Sequence, residues 1–127
     1  MKRKRLKKEK RADIYKQLNG RCAYCGQLIK YEDMHVEHVQ PLAKNGADHP
    51  ENMLPSCGDC DFLKGERGLE EFRHMLENIA TEIFEKKPEY TVAERFGLIK
   101  VTPRPIKFYF ETKNIKLDIE RMMKNAD

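Results

Sequence analysis

Residues 22–61 contain, in order, Cys22-Ala23-Tyr24-Cys25, His35-Val36-Glu37-His38-Val39-Gln40-Pro41, Asn52 and Cys57-Gly58-Asp59-Cys60-Asp61. Each C-x-x-C pair has the two-residue gap that lets one turn present both sulfurs, and four thiolates suit a tetrahedral zinc ion. A redox pair of the thioredoxin type is the alternative for either motif, but two pairs without a βαβ pattern argue against it. The sequence therefore predicts a structural zinc site on Cys22, Cys25, Cys57 and Cys60.

The 31 residues between the two pairs exceed what a minimal zinc ribbon needs, so an inserted element is expected there. Residues 34–39 alternate like a strand that Pro41 closes, and residues 43–51 are rich in turn formers. Residues 52–55 read as a short return strand, which completes a hairpin with a long loop. A helical segment is then predicted over 61–66, beginning at Asp61.

Outside this region the pattern is mixed, which favours the α+β class. A helix is predicted over 9–18, and a long amphipathic helix over 69–86 that Pro88 stops. A capping box at Thr91 indicates another short helix. Strands are expected over 98–101 and 106–111, with Phe108 and Phe110 in the core, and a last helix over 115–124.

Charge is distributed unevenly along the 127 residues, a length typical of one domain. The first eleven residues carry eight basic and one acidic side chain, whereas the rest carries 17 basic and 20 acidic ones. Such a run is typical of a nucleic-acid-binding arm, and a solvated chain end is the alternative. The absence of an apolar run or export signal predicts a cytoplasmic protein that does not enter a membrane, so the cysteines are expected to bind metal rather than form disulfides.

Four polar residues lie inside the zinc frame without being needed by a structural zinc. Hydrolysis of a phosphodiester requires a base that deprotonates water and a hard cation that stabilises the developing charge. Histidine suits the first task near neutral pH, and carboxylates suit Mg²⁺ or Mn²⁺. His38 is therefore a candidate base, and Glu37 and Asp61 are candidate ligands of a catalytic ion.

In these residues the chain resembles the HNH endonucleases, the ββα-metal (His-Me finger) nucleases, in the branch with two C-x-x-C zinc-binding pairs. The resemblance covers about a third of the chain and rests on Cys22 to Cys25, Glu37 to Leu42, Asn45-Gly46, Glu51 to Leu54 and Cys57 to Gly65. It implies a ββα-metal core with a structural zinc over 12–68, after a basic arm over 1–11. Residues 69–127 would then be a helical and β extension packed on that core.

The resemblance also implies a role for each matching position. His38 corresponds to the general base, and Asn52 to the asparagine that holds this histidine in place. Glu37 and Asp61 correspond to ligands of the catalytic ion, and Lys64 to a basic residue that contacts a phosphate or supports the fold. The family more often has Asp at the position of Glu37, and Asn or His at that of Asp61. Because the Asp61 carboxylate is a good oxygen ligand, this chain favours Mg²⁺ or Mn²⁺ over a catalytic Zn²⁺.

Each of these residues also has a purely structural interpretation. His38 can be a structural histidine, Glu37 a surface charge, Asn52 a turn residue and Asp61 a helix cap. His35 shares a strand face with Glu37 and is either a second contact at the site or an exposed polar residue.

Taken together, the residues favour a metal-dependent endonuclease that acts on DNA, with RNA left open as a substrate. A bacterial or phage origin is expected from the family. The alternative is a non-catalytic zinc module that docks on nucleic acid or protein, which would bind with a steep dependence on salt. The sequence leaves the oligomeric state, the recognition sequence and the choice between nicking and double-strand cleavage open.

Overall fold

The structure, a computed structural model, describes residues 6–124. The helices are α1 (Lys8–Gln17), α2 (Gly58–Lys64), α3 (Leu69–Glu77), α4 (Ile79–Glu82), α5 (Pro88–Arg95) and α6 (Tyr109–Thr112), and the strands are β1 (His35–His38) and β2 (Met53–Ser56). Short 3-10 turns cover Tyr31–Asp33, Leu42–Lys44, Pro50–Asn52 and Phe84–Lys86. Within residues 6–124, none of the helices is both long and apolar enough to cross a membrane.

The central element is the predicted hairpin, in which β1 and β2 pair antiparallel. His35 lies opposite Ser56, and His38 lies opposite Met53. All of β2 is buried, whereas β1 keeps His35 exposed at its first position. The hairpin therefore presents one strand whose side chains can reach both the interior and the surface.

Helix α1 covers one side of this hairpin, one residue earlier than predicted at each end. Ile14 of α1 forms an apolar cluster with Met34 and Met53, against which Leu6, Tyr15, Ile29 and Val36 pack. Residues 1–5 of the predicted basic arm lie outside the described residues. Arg11, the last residue of that arm, donates hydrogen bonds to the carbonyls of Tyr31 and Met34, so it anchors the chain just before β1.

Helix α2 begins three residues earlier than predicted, at Gly58 rather than at Asp61. The reason is that Cys57 caps the helix, its sulfur accepting a hydrogen bond from the Cys60 amide at 3.4 Å. The second C-x-x-C pair therefore forms the first turn of α2. Asp61 and Lys64 are three residues apart in the body of the helix and lie on one face.

The C-terminal half departs more widely from the sequence-based predictions. The helix expected over 69–86 is divided at Asn78, whose side-chain amide donates to the carbonyl of His74 and competes with the helical hydrogen bonds. Pro88 is the first residue of α5 instead of only ending the preceding helix, since its fixed φ suits that position.

The strands expected over 98–101 and 106–111 and the helix over 115–124 do not form, and the only sheet in residues 6–124 is the hairpin. Leu98 is 77% exposed, so residues 98–101 gain little burial that would favour a strand. Phe108 and Phe110 are buried as predicted, but α6 begins between them because the Glu111 carboxylate accepts a hydrogen bond from the Phe108 amide. The backbone near Met122 and Lys124 bonds to the hairpin loop instead of forming a helix.

The chain is divided into two compact units. One contains the chain up to Leu69 together with the segment from Phe108 onward, and the other is Glu70–Lys107. The second unit is held by Arg73 and Glu77, which bond to the backbone of Ile106, and by the stacked rings of Phe84 and Tyr90. The sequence-based boundary between 68 and 69, with 69–127 as an extension packed on the core, stays a prediction.

Candidate active site and metal centre

The four cysteines lie together at the base of the hairpin. One ligand sulfur from each of Cys22, Cys25, Cys57 and Cys60 lies within 4.8 Å of the others. The sulfurs of Cys25 and Cys57 are 3.9 Å apart, close to the roughly 3.8 Å edge of a tetrahedron with Zn–S bonds of about 2.3 Å. These residues, called the cysteine cluster below, are therefore grouped to bind a metal, and the sulfur set and spacing are consistent with zinc.

The turn that carries the first pair is built by its backbone. The Cys22 amide donates to the carbonyl of Gln27, and the Gly26 amide donates to the carbonyl of Cys22. Gly26 has a φ of 77°, which a side chain would disfavour, and an added Cβ would lie 2.9 Å from the Tyr109 ring. Glycine at this position lets the chain reverse closely enough for two sulfurs to converge.

Hydrogen bonding and burial give the thiols of the cysteine cluster different pKa values. A hydrogen bond from Cys60 lowers the pKa of Cys22 to about 4, whereas burial raises the pKa of Cys25 to about 11. The pKa of Cys60 is raised, chiefly by that same bond to Cys22. Without a metal, one thiolate is thus supported by its neighbours, and a bound cation would have to displace the remaining protons.

Glu37 of β1 is buried in a second cluster. One of its carboxylate oxygens accepts a hydrogen bond from Lys64 Nζ at 2.6 Å, and the other accepts one from the Tyr24 hydroxyl. Glu37 is 4% exposed, Tyr24 4% and Lys64 0%. We call Tyr24, Glu37 and Lys64 the carboxylate cluster.

The electrostatics of the carboxylate cluster follow from burial. Burial raises the pKa of Glu37, and the Lys64 ammonium opposes that shift. Burial, with the nearby charge of Glu37, holds the pKa of Tyr24 well above its usual range, so this hydroxyl is a neutral donor. Lys64 also donates to the carbonyl of His38 at 3.1 Å. Its ammonium is therefore turned inward, toward Glu37 and the backbone of β1.

His38, the candidate base, ends β1 and is paired with a residue of the hairpin loop. Its Nε2 lies 2.9 Å from Asp48 Oδ1, and the two side chains are 10% and 16% exposed. A carboxylate in this position favours the tautomer with the proton on Nε2, which leaves Nδ1 as the acceptor nitrogen. The geometry thus selects one ring nitrogen of His38 for accepting a proton.

Asn52 is fully buried and connects the two ends of the hairpin loop. Its oxygen accepts a hydrogen bond from the Gln40 amide, and its amide nitrogen donates to the carbonyls of Gln40 and Ala47. Gly46 permits this arrangement, since an added Cβ would lie 1.9 Å from the Gln40 carbonyl oxygen. Asn52 thereby orders the chain after His38 and the loop residue next to Asp48.

Asp61, the second candidate ligand, lies beside His35 and not beside the base. Asp61 Oδ2 is 2.7 Å from His35 Nδ1, and the two side chains are 37% and 50% exposed. His35 and Glu37 therefore use the same face of β1 to reach Asp61 and Lys64 of α2. The charge of Asp61 also raises the pKa of Glu37, after the larger effect of burial.

Two residues of this site were not singled out from the sequence. Asp48 sits in a segment that reads only as a polar loop, and its contact with His38 depends on the fold of that loop. Tyr24 was read only as a spacer between two cysteines. The sequence signal that could have identified Tyr24 is its place between Cys22 and Cys25. When both neighbours bind one metal ion, the turn that holds them also fixes the direction of the tyrosine side chain.

Comparisons with known proteins show what the segment that carries this site is similar to. The family model described as HNH endonuclease matches residues 22–67. A CRISPR-associated endonuclease Cas9 of Corynebacterium diphtheriae is 33% identical over 64 residues, which are 46% of this chain and 6% of that protein. The chain thus spans only a small fraction of the length of this curated relative.

The fold is also found among solved structures. The crystal structure of the Type II-C Cas9 enzyme from Actinomyces naeslundii matches 59% of this chain and 9% of that one, with a TM-score of 0.50 and 22% identity. This likeness concerns the fold alone, and it confirms the predicted α+β class and the zinc-type ββα core. The segment from Cys22 to Arg67 is thus similar in sequence to the HNH endonuclease family, and the chain is similar in fold to this Cas9 structure.

Proposed function

We propose that this chain is a metal-dependent endonuclease that hydrolyses phosphodiester bonds of DNA. His38 is its general base, and Glu37 and Asp61 hold a catalytic Mg²⁺ or Mn²⁺ ion. The observation that carries the proposal is the packing of β1 against α2 within the segment that matches the family model, since β1 carries Glu37 and His38 and α2 carries Asp61.

The role of His38 is supported by its hydrogen bond to Asp48. With Nε2 engaged, Nδ1 is the nitrogen that takes a proton from water as the oxygen attacks phosphorus. Asn52 keeps the backbone after His38 in place through its hydrogen bonds to the amide and the carbonyl of Gln40. We therefore assign catalysis to His38 and positioning to Asn52 and Asp48.

The donors around Glu37 and Asp61 fit a hard divalent cation. Both donors are carboxylate oxygens, and Mg²⁺ is commonly held by one or two carboxylates together with waters and a substrate phosphate. Each oxygen of Glu37 has accepted one hydrogen bond, which leaves lone pairs on both. When bound, the ion would supply positive charge to the leaving oxygen of the cleaved bond.

The cysteine cluster fits a structural zinc ion rather than a catalytic one. Four sulfurs close a tetrahedron and leave no open position for water or substrate. The cluster also joins the turn at Cys22 to the first turn of α2, so a zinc ion there would fix α2 against the hairpin. We assign Zn²⁺ to this site.

DNA is proposed as the substrate because basic side chains are concentrated at the start of the chain. Lys8 and Lys10 lie exposed on the first turns of α1, beyond the basic residues of the first five positions. Phosphate contacts of this kind bind without regard to sequence. RNA is the alternative substrate, and the assay below compares it with DNA.

The test is cleavage of supercoiled plasmid by the zinc-loaded protein with Mg²⁺, Mn²⁺, added Zn²⁺ or EDTA. His38→Ala should lower the rate about 10²- to 10⁴-fold, the range expected for loss of a general base. His74→Ala is the matched control, because His74 is exposed and lies outside the matched segment. A single-stranded RNA of equal charge, assayed in parallel, identifies the preferred nucleic acid.

Two results would contradict the proposal. Equal cleavage by the wild type and His38→Ala would remove His38 from the chemistry. A wild-type protein that shifts DNA in a gel but cuts none under any metal condition would favour the zinc docking module instead. Relaxed product alone would indicate nicking, and early linear product would indicate paired sites.

A further inference from the structure

The residue between the two cysteines of the first pair, Tyr24, reaches the candidate ion ligand. Its hydroxyl donates to one oxygen of Glu37, and Lys64 donates to the other at 2.6 Å. Since all three side chains are almost fully buried, no solvent competes for these bonds. Glu37 is therefore held from both sides, by one charged donor and one neutral donor.

The ring of Tyr24 is itself seated by the C-terminal segment. It meets Phe108 edge-on with ring centroids 5.2 Å apart, and Phe110 at 6.3 Å. The backbone follows the same path, because the amides of Tyr109 and Phe110 donate to the carbonyls of Tyr24 and Ala23. This segment lies some forty residues beyond the end of the family match at 67.

The same end of the chain also supports the loop that carries Asp48. The Ala47 amide donates to the Met122 carbonyl, and the Lys124 amide donates to the Asn45 carbonyl, each at 2.8 Å. Gly46 forms an isolated bridge with Met123. Residues from 108 onward thus contact the supports of both Glu37 and His38.

We propose that Tyr24, seated by Phe108 and Phe110, is a positioning residue for Glu37, so the C-terminal segment is a working part of the nuclease site. The inference rests on the proposed function, since it takes Glu37 as an ion ligand. A carboxylate with one lone pair on each oxygen engaged keeps a single orientation, and the remaining lone pairs would be available to a bound ion. Hydrogen-bonding partners of metal ligands typically change metal affinity or activity about 10- to 100-fold when removed.

A role in packing alone makes a different prediction. The ring of Tyr24 and its contacts with Phe108 and Phe110 are kept by phenylalanine, and the cysteine cluster is unchanged. If Tyr24 only filled space, Tyr24→Phe would leave every property of the ion site as it was. If the hydroxyl positions Glu37, the same variant should affect the ion and the rate without releasing zinc.

The experiment compares wild type, Tyr24→Phe and Tyr109→Phe in the full chain with zinc bound. Tyr109→Phe is the matched control, because it removes a hydroxyl from the neighbouring segment without touching Glu37. Binding of Mn²⁺ is measured by electron paramagnetic resonance without DNA, zinc content by metal analysis, and kcat and KM by plasmid cleavage. Tyr24→Phe should retain one zinc, weaken Mn²⁺ binding about tenfold and lower kcat about tenfold with KM unchanged.

The outcomes separate this inference from the function on which it rests. Wild-type values of Mn²⁺ affinity and kcat in Tyr24→Phe, with His38→Ala inactive, would overturn the positioning role and leave the nuclease intact. A wild-type protein that neither cuts nucleic acid nor binds Mn²⁺ would overturn both.

A second variant covers the case in which Tyr24→Phe loses its zinc. Phe110→Leu keeps an apolar side chain and the hydroxyl of Tyr24 but removes one of the two rings that seat Tyr24, the other being Phe108. It should weaken Mn²⁺ binding in the same direction by a smaller factor. Unchanged Mn²⁺ binding in both Phe110→Leu and Phe108→Leu would show that the C-terminal segment does not position Glu37.

Discussion

The cysteine cluster and the carboxylate cluster share the turn from Cys22 to Cys25, but they differ in what completes them. The cysteine cluster has four sulfurs and no cation of its own, so it needs an ion to neutralise its thiolates. The carboxylate cluster contains its own cation, because the Lys64 ammonium meets the Glu37 carboxylate at 2.6 Å. The cysteine cluster therefore depends on a bound ion for its charge balance, whereas Glu37 already has a positively charged partner within the chain.

This difference separates two ways of stabilising a small fold. A metal connects distant segments with few residues, which suits a chain of this length. A buried ion pair is costly to desolvate, and its net contribution to stability is small even when breaking it is severe. The carboxylate cluster therefore makes more sense as a device for orienting Glu37 than as a source of stability.

Removal of zinc should have the largest effect. Because structural zinc binding contributes roughly 10–16 kcal/mol in zinc-finger peptides, extraction by a strong chelator should unfold the hairpin unit. Circular dichroism and amide hydrogen exchange measure this loss. Both are followed during chelation and again after zinc is added back. The fold should recover with Zn²⁺ but not with Mg²⁺. Hairpin amides that stay protected from exchange without metal would contradict the dependence of the cysteine cluster on an ion.

Replacement of the buried Lys64 should have the second-largest effect on stability. Lys64→Met keeps an apolar stem of similar length and leaves Glu37 buried without its charge partner, which should cost about 3–5 kcal/mol. The free energy of unfolding in urea, measured with zinc bound, tests this value. Arg121→Met is the control, since the Arg121–Glu51 pair is exposed and should contribute less than about 1 kcal/mol. Equal losses in the two variants would mean that the carboxylate cluster is no tighter than a surface pair.

The cysteine cluster could be predicted from the sequence, since its ligands come in two local pairs whose spacing reflects one kind of turn. The hairpin was predicted for a similar reason, because its strands are marked by alternation and closed by Pro41 and the second pair. The carboxylate cluster joins residues that are 13 and 27 positions apart, and nothing local in the sequence marks Tyr24 as the partner of Glu37. Such pairings depend on the three-dimensional path of the chain.

The C-terminal predictions were wrong for a related reason. The alternation of Ile106, Phe108 and Phe110 indicates burial on one side, and the two phenylalanines are indeed buried. Alternation does not state what the backbone will pair with, however. Here the amides of residues 109 and 110 bond to the turn at Tyr24 instead of to a strand, and the chain then enters α6.

Replacement of Asn52 should have an effect of intermediate size on stability, and it tests the hairpin loop between β1 and β2. Asn52→Ala would leave the Gln40 amide and the carbonyls of Gln40 and Ala47 without their partner, at a cost of roughly 2–3 kcal/mol. Asn52→Asp keeps the shape but turns an acceptor toward two carbonyls, so it should destabilise at least as much. Urea unfolding of both variants is the measurement, and an aspartate variant more stable than the alanine variant would show that shape alone matters.

Asp48 should have the smallest effect on folding and a selective effect on catalysis. Its contact with His38 is largely shielded from solvent, with the two side chains 16% and 10% exposed, but Asp48→Asn keeps the shape and the hydrogen-bonding capacity of the side chain, so the free energy of unfolding should change by only about 1 kcal/mol. An amide can also turn its nitrogen toward Nε2, which would favour the other tautomer and occupy the ring differently. We expect kcat for plasmid cleavage to fall about tenfold, equivalent to about 1.4 kcal/mol in the barrier, with KM unchanged. If Asp48→Asn instead lowered the free energy of unfolding by as much as it raised the barrier to cleavage, Asp48 would act in the folding of the loop. The tautomer of His38 would then not depend on Asp48.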